Sequence, residues 1–451
     1  MFRSINPATG DEIATYPELT ADEVEAKIAR AVERFATWRF TPVADRTALL
    51  HRIATEFDAR IEPMARMASM EMGKTLVSAR AELQKCAAAF RYYAQNGEAL
   101  LAPQPIAGAN GEVHLLPLGP ILAVMPWNFP YWQVIRFVAP TILAGNVGLL
   151  KHASIVQGVA GMIEETIIAA GAPDGLFQNL AIKSDKVGPL IADDRIAGVT
   201  LTGSEGAGRS VAEAAGKALK KVVLELGGSD PFIVMPSADV DQAAKVAVIA
   251  RIQNSGQSCV CAKRMIVHAE VYDAFAGKFI AGMLAAKAGD PMDASSEMGP
   301  LSSFEQLKTV LGQLDEAKAA GAKLVGGEAL PSKGAYIGGG VLTGVPVDSA
   351  LAHEEIFGPI AMLFNVADID EAIRVANAIP FGLGSSVWTR DKSEEDRFIA
   401  GIEAGMTAVN QMLASMPEAP FGGIKHSGHG RELGPWGLHE FMNIKSVLRP
   451  S

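Results

Sequence analysis

Apolar positions in the first hundred residues recur at helical spacing. After Thr20-Ala-Asp-Glu23, which has the form of a capping box, Val24, Ile28, Ala31, Val32 and Phe35 share one face, so residues 20 to 100 are expected to be mostly helical. From about 119 to 226 the pattern changes. Short apolar runs at Ile121–Met125, Val147–Lys151, Leu176–Ile182, Val199–Thr202 and Val222–Leu226 alternate with helix-like stretches near 132–144, 155–170, 185–193 and 208–220. Strands alternating with helices of that length imply βαβ units and a parallel, doubly wound sheet. A second α/β series runs from Pro231 to about Phe421, with strands expected at Phe232–Val234, Arg264–His268, Ala361–Asn365, Ser385–Trp388 and Ala408–Asn410. Lys323–Gly327 and Lys333–Gly340 read as turns and loops. The expectation is an α/β chain of two similar domains, with its chemistry in the residues that follow the strands, at their carboxyl ends.

Composition narrows the function. The 451 residues are 49% hydrophobic and 20% charged, enough for a large core and unlike a disordered chain. Fifty acidic against 40 basic residues give a net charge of −10, which argues against a nucleic-acid or anionic-membrane binder. The start, Met1-Phe-Arg-Ser-Ile-Asn-Pro7, lacks the apolar core of a secretion signal. The most apolar stretch, Ile121 to Leu150, is interrupted by Pro126, Pro130, Arg136 and Pro140 and is no membrane span. Three cysteines, Cys86, Cys259 and Cys261, form no disulfide framework and suit a reducing cytoplasm. His353-Glu-Glu and His426-Ser-Gly-His429 lack companion ligands, so no metal is expected.

Four local features invite chemistry, and each has a plain structural reading beside it. Cys259, in Asn254-Ser-Gly-Gln-Ser-Cys259, is either a buried small hydrophobe or a nucleophile. Glu225 ends an apolar run just before Gly227-Gly228; it is a solvated strand end or a general base. Thr202-Gly203-Ser204 joins a strand to a helix, as a simple turn or as a cradle for phosphate, although its spacing departs from G-x-G-x-x-G. Asn128, in Pro126-Trp127-Asn-Phe-Pro130, is a turn or cap residue, or an N–H donor to a developing oxyanion.

In this order the pieces resemble the aldehyde dehydrogenase superfamily. The likeness runs from Asn6-Pro-Ala-Thr-Gly10 to Glu432-Leu-Gly434 and Gly437-Leu-His-Glu-Phe441. It takes in Pro-Trp-Asn-Phe-Pro at 126–130, Thr-Gly-Ser at 202–204, Glu-Leu-Gly-Gly at 225–228, Gly256-Gln-Ser-Cys259, Glu354-Glu-Ile-Phe-Gly-Pro359 and Pro420-Phe-Gly-Gly423. The resemblance implies that Cys259 attacks the aldehyde to give a thiohemiacetal and then a thioester. Asn128 and the Cys259 N–H would hold the oxyanion, and Glu225 would activate the hydrolytic water. It also implies a dinucleotide site of Trp127, Lys151, Ser154, Gly203, Ser204, Gly227, Glu355 and Phe357. In domain terms it implies an NAD(P)-binding domain at 1–97 and 119–228, a catalytic domain at 229–425, and a small β oligomerisation arm at 98–118 and 436–451. That arm would make a homodimer or homotetramer.

Arg136 lies eight residues after Asn128, close to two helical turns, among the apolar Val134, Ile135, Phe137 and Val138. A lone guanidinium there wants an anion. The position resembles the arginine with which succinate-semialdehyde dehydrogenases bind the substrate carboxylate. Two departures accompany it: Gln253 stands where many of those enzymes have a second arginine, and Phe137 where much of the superfamily has lysine. Arg136, Gln253 and Ser415 are the candidate substrate residues, and succinate semialdehyde the expected substrate. An apolar tunnel of Trp132, Tyr131 and Met412 would instead suit other aliphatic or aromatic aldehydes. Coenzyme A-acylating relatives usually lack the Glu225 carboxylate, so hydrolysis is favoured over acyl transfer. The intact set Cys259, Glu225 and Asn128 argues against a silent structural role. Ser154 stands where NAD-preferring relatives often have glutamate, so both NADP and NAD are expected to serve, with His152 of unknown influence nearby. Cys261 reads as a packed neighbour on the outgoing strand, and its spacing leaves a reversible bridge to Cys259 open.

Overall fold

A computed structural model describes residues 1–450. Thr20 closes the expected capping box with Glu23 and starts the helix Ala21–Trp38; Val43–Ala59, Ile61–Met72 and Leu76–Leu101 complete a helical layer. Two strands precede it that periodicity did not reveal. Phe2–Ile5 and Glu12–Tyr16 form a short hairpin, too brief and too polar to carry an alternation signal.

The first sheet has six strands in the spatial order Gly428–His429, Lys221–Glu225, Gly198–Thr202, Pro120–Met125, Val147–His152, Phe177–Asn179. All neighbours are parallel except the terminal pair of Gly428–His429 with Lys221–Glu225. The chain leaves the central strand Pro120–Met125 outward through Val147–His152, then returns on its other side at Gly198–Thr202. That reversal opens a crevice beyond the carboxyl ends of the strands. The expected strand at Leu176–Ile182 shrinks to Phe177–Asn179, because Leu180 and Ile182 are held in a local loop bond after the ladder ends.

The second sheet has seven strands, ordered Lys323–Gly326, Gly340–Thr343, Ile360–Val366, Ala262–His268, Asp230–Val234, Gly384–Trp388, Met406–Val409. Lys323–Gly326 is therefore a strand, paired antiparallel with Gly340–Thr343, and not the expected turn. It is a four-residue edge strand flanked by glycines, so its composition imitates a loop. A separate three-stranded sheet joins Met442–Leu448 to Gly111–Pro117 and Gln104–Pro105.

One expectation about placement needs correcting. In the first sheet Trp127, Gly203 and Gly227 do follow strands, and Lys151 lies one residue before the end of its own strand, Val147–His152. In the second sheet Cys259 precedes the strand Ala262–His268, and Glu355 precedes Ile360–Val366. The amino edge of one sheet thus faces the carboxyl edge of the other, and the site lies between them. Among the described residues no helix is long and apolar enough to cross a membrane, and no group of three or more His, Cys, Asp or Glu is placed to hold a metal.

Candidate active site

The cysteine loop is strained and tightly held. Asn254, Ser255 and Gly256 have consecutive positive φ of 52°, 55° and 75°, a region that non-glycine residues seldom occupy. Side chains hold it there. Asn254 Nδ2 donates to the Asn128 carbonyl at 2.8 Å and to the Gln257 carbonyl at 3.0 Å, while Ser255 Oγ donates to Gly299 O at 2.9 Å. Gly256 must be glycine, since a Cβ there would lie 2.3 Å from the Gly358 carbonyl. Asn128 meets the loop from the first sheet, its Nδ2 donating to Gln257 O at 3.2 Å. Below the loop, the fully buried Lys263 donates to the carbonyls of Ser258 and Cys259, each at 2.8 Å, and lies 3.0 Å from Glu355 Oε1.

These charges matter for the thiol. Burial pushes the Cys259 thiol up to about 12, against the opposing pull of Arg136 and Lys263. The resting thiol therefore keeps its proton at neutral pH, and attack requires a proton acceptor. Glu225 ends its strand fully enclosed, with no hydrogen-bond partner on either carboxylate oxygen. Burial first, and the neighbouring Glu432 second, hold its carboxyl well above the usual range. Cys261 is buried, and its Sγ faces the Gln253 carbonyl at 3.5 Å; all three cysteines are free thiols.

A cavity of about 280 Å³ opens beside Cys259, walled by Arg136, Gln253, Trp132, Phe421, Ser415 and Lys85. Arg136 is not the lone guanidinium that its neighbours in sequence suggested. Its Nε lies 2.6 Å from Glu432 Oε2, its plane covers Phe421 at 4.3 Å, and Nη2 reaches Thr202 Oγ1 at 3.4 Å. The expected apolar tunnel keeps only Trp132. Tyr131 turns into the helical layer, its hydroxyl donating to the Met64 carbonyl at 2.9 Å, and Met412 packs on the core of the second sheet.

The crevice of the first sheet has the groups that a dinucleotide needs. Ser204 caps the helix Glu205–Lys217 and is itself exposed, with open space over Gly206. Anions bind well at such an end. Lys151 is a buried cation whose contact is a hydroxyl, Ser184 Oγ at 3.3 Å, and burial lowers its pKa. Ser154 is exposed nearby. A Cβ on Gly227 would fall 2.3 Å from Glu355 Oε2, so the glycine makes room for that carboxylate. Phe357 meets Trp127 edge to face at 5.7 Å. His152 is spent on backbone bonds. It is buried, with Nε2 donating to Pro130 O at 2.8 Å and Nδ1 accepting from the Ala153 N–H at 3.0 Å, and burial depresses it to about 4.

The structure thus brings Cys259, Arg136, Gln253 and Ser415 to one cavity, with Asn128 tied to the cysteine loop and Glu225 enclosed beside Arg136 and Glu432. Lys85, Lys263 and Glu432 were missed by the sequence reading. Lys263 carried a faint signal, a charge inside the apolar strand Ala262–His268 four residues after the cysteine. Glu432 stood in the Glu432-Leu-Gly stretch that ends the family likeness, with no role assigned to it; Lys85 carried no signal.

Comparison with known proteins gives a consistent result. Residues 1–447 match the model of the aldehyde dehydrogenase family. A succinate-semialdehyde dehydrogenase [NADP(+)] of Mycobacterium tuberculosis is 51% identical over 450 residues, covering 98% of both chains. A second, from Mycolicibacterium paratuberculosis, is 51% identical over 451 residues, 98% of this chain and 96% of the relative. Among solved structures, a Streptococcus pyogenes succinic semialdehyde dehydrogenase in complex with NADP+ superposes with a TM-score of 0.97 at 39% identity, with 100% of each chain covered.

Proposed function

Since the chain belongs to the aldehyde dehydrogenase family, we propose that it oxidises succinate semialdehyde to succinate, using NADP and also accepting NAD. The observation that carries this reading is the cavity, in which Cys259 shares the walls with Lys85, an ammonium without an ion pair among the described residues, and with Arg136, which is paired with Glu432. A short aldehyde with a distal carboxylate matches that distribution of charge. The NADP-dependent relatives at 51% identity support both substrate and cofactor.

In this reading Cys259 releases its thiol proton to solvent as its sulfur bonds to the aldehyde carbon, and the resulting oxyanion is held by Asn128 Nδ2 and the Cys259 N–H. Lys151, Ser154, Gly203, Ser204, Gly227, Glu355, Trp127 and Phe357 would hold the dinucleotide. When bound, that group supplies the hydride acceptor. Glu225 then takes a proton from the water that cleaves the Cys259 thioester, releasing acid and thiol. A carboxyl with raised proton affinity is a stronger base than a solvated one, which suits the task. Residues 1–97 and 119–228 serve as the cofactor domain and 229–425 as the catalytic domain. Segments 98–118 and 436–451 form the oligomerisation arm of a cytoplasmic homo-oligomer, presenting the exposed Ile444 and Leu448 to a partner copy.

The test is reduced-nicotinamide absorbance on mixing the enzyme with succinate semialdehyde and either cofactor, with and without coenzyme A. Turnover without coenzyme A is expected. Strict dependence on coenzyme A would establish acyl transfer in place of hydrolysis.

A further inference from the structure

We infer that Lys85, with Ser415 as its hydroxyl partner, reads the distal carboxylate of the substrate, and that Arg136 only adds its field; this rests on the carboxylated-aldehyde reading above. Lys85 lies on the helix Leu76–Leu101, and Ser78, Ala81, Glu82 and Lys85 line the cavity from one helical face.

Its surroundings leave its charge unanswered. The ammonium sits 4.4 Å above the Trp132 ring and 2.8 Å from Ser415 Oγ, and it makes no ion pair among the described residues. The nearest carboxylate on its own helix, Glu82, is fully occupied: it pairs with Lys74 and accepts the N–H groups of Tyr131 and Trp132 at 2.9 and 2.8 Å. Arg136 by contrast already has its anion, Glu432.

Ser415 completes the receptor. Its oxygen accepts from Lys85 and, at 2.9 Å, from Trp132 Nε1, which uses both lone pairs and leaves the hydroxyl proton to donate. An ammonium with two spare N–H donors and a spare O–H converge on one cavity that also contains Cys259. A carboxylate accepts from all of them.

The charges facing Lys85 are Arg136 from the helix Trp132–Ala144, Glu82 and Cys86 from its own helix, and Cys259 from the loop. Burial first, then Arg136, lower its pKa to about 8. Without a substrate carboxylate the ammonium is therefore half discharged at mildly alkaline pH.

The experiment compares kcat/KM for succinate semialdehyde and for butanal, which replaces the carboxylate by a methyl group. The ratio of the two cancels the titrations of Cys259 and Glu225, which both aldehydes share. Lys85→Met keeps the packing on Trp132 and is expected to lower the ratio roughly 30-fold or more, the lower end of the loss when one side of a desolvated charge pair is removed. Lys85→Arg is expected to restore most of it. In the wild type the ratio should fall as pH rises through about 8, and in Lys85→Arg that fall should vanish. A wild-type preference for succinate semialdehyde that survives Lys85→Met overturns this inference alone. A wild type without that preference overturns the proposed substrate and this inference with it.

Discussion

Replacing Arg136 by methionine is expected to harm the enzyme on every aldehyde, and not on carboxylated ones alone. The guanidinium Nε and Glu432 Oε2 are 2.6 Å apart, with side chains only 2% and 6% exposed. At an effective dielectric near 20, unit charges at that distance attract by about 6 kcal/mol, an upper figure before desolvation is subtracted. Removing one member of such a pair typically costs about 3–5 kcal/mol, because the other is left buried and unanswered. Glu432 would then take up a proton or strain the site. Arg136 also opposes the rise in the Glu225 pKa, so its loss pushes Glu225 further up and moves the pH at which hydrolysis becomes efficient upward. A double-mutant cycle of Arg136→Met and Glu432→Leu reads the coupling, with apparent stability in urea and kcat for succinate semialdehyde and butanal as observables. The single variants should each lose stability and turnover on both aldehydes, while the double variant recovers a good part of the stability. Additive effects, with turnover lost only for succinate semialdehyde, would refute the structural pairing and return Arg136 to the role of substrate reader.

Other outcomes follow from single contacts. Cys259→Ala should abolish reduced-nicotinamide formation, single-turnover burst included; Glu225→Gln should keep a burst, slow steady turnover, and flatten the rise of rate with pH that a raised Glu225 pKa predicts for the wild type. Gly227→Ala places a methyl 2.3 Å from Glu355 Oε2 and should raise KM for the dinucleotide several-fold more than it lowers kcat, measured by initial rates. Ser154→Glu should depress kcat/KM for NADP far more than for NAD, since a carboxylate about 4 Å from a 2′-phosphate costs up to roughly 4 kcal/mol; an unchanged ratio would remove Ser154 from the cofactor site. His152, neutral when folded and lowered from 6.5 to about 4, binds fewer protons folded than unfolded in that window. It should therefore stabilise fully above 6.5 and lose up to about 3 kcal/mol as pH falls to 4, a slope that His152→Gln should remove in urea titrations.

Local sequence pattern determined much of this protein. The helix at 132–144, the parallel strands of the first sheet, the Thr20 capping box and the order of the site motifs are all properties of short segments, where periodicity and turn chemistry act over a few residues. Edge elements escaped it: Lys323–Gly326 is a strand through its partner Gly340–Thr343, and a glycine-rich edge looks like a loop until that partner is known. The site divides in the same way. Cys259, Glu225 and Asn128 could be named from motifs, because each motif is contiguous. The electrostatics could not. Arg136 reads as solitary among Val134, Ile135 and Phe137, yet its counter-charge comes from Glu432, nearly three hundred residues later in the chain, and lies 2.6 Å away. Lys85 carries no signal in the sequence, and only the packing of its helix against Trp132 and Ser415 brings it to the cavity that contains Cys259. Charge acts through space in a low dielectric and is indifferent to separation along the chain. The sequence therefore decided which chemical groups were present and which local elements bear them; the packing of the two sheets edge to edge decided which charges are spent on each other and which remain for a substrate.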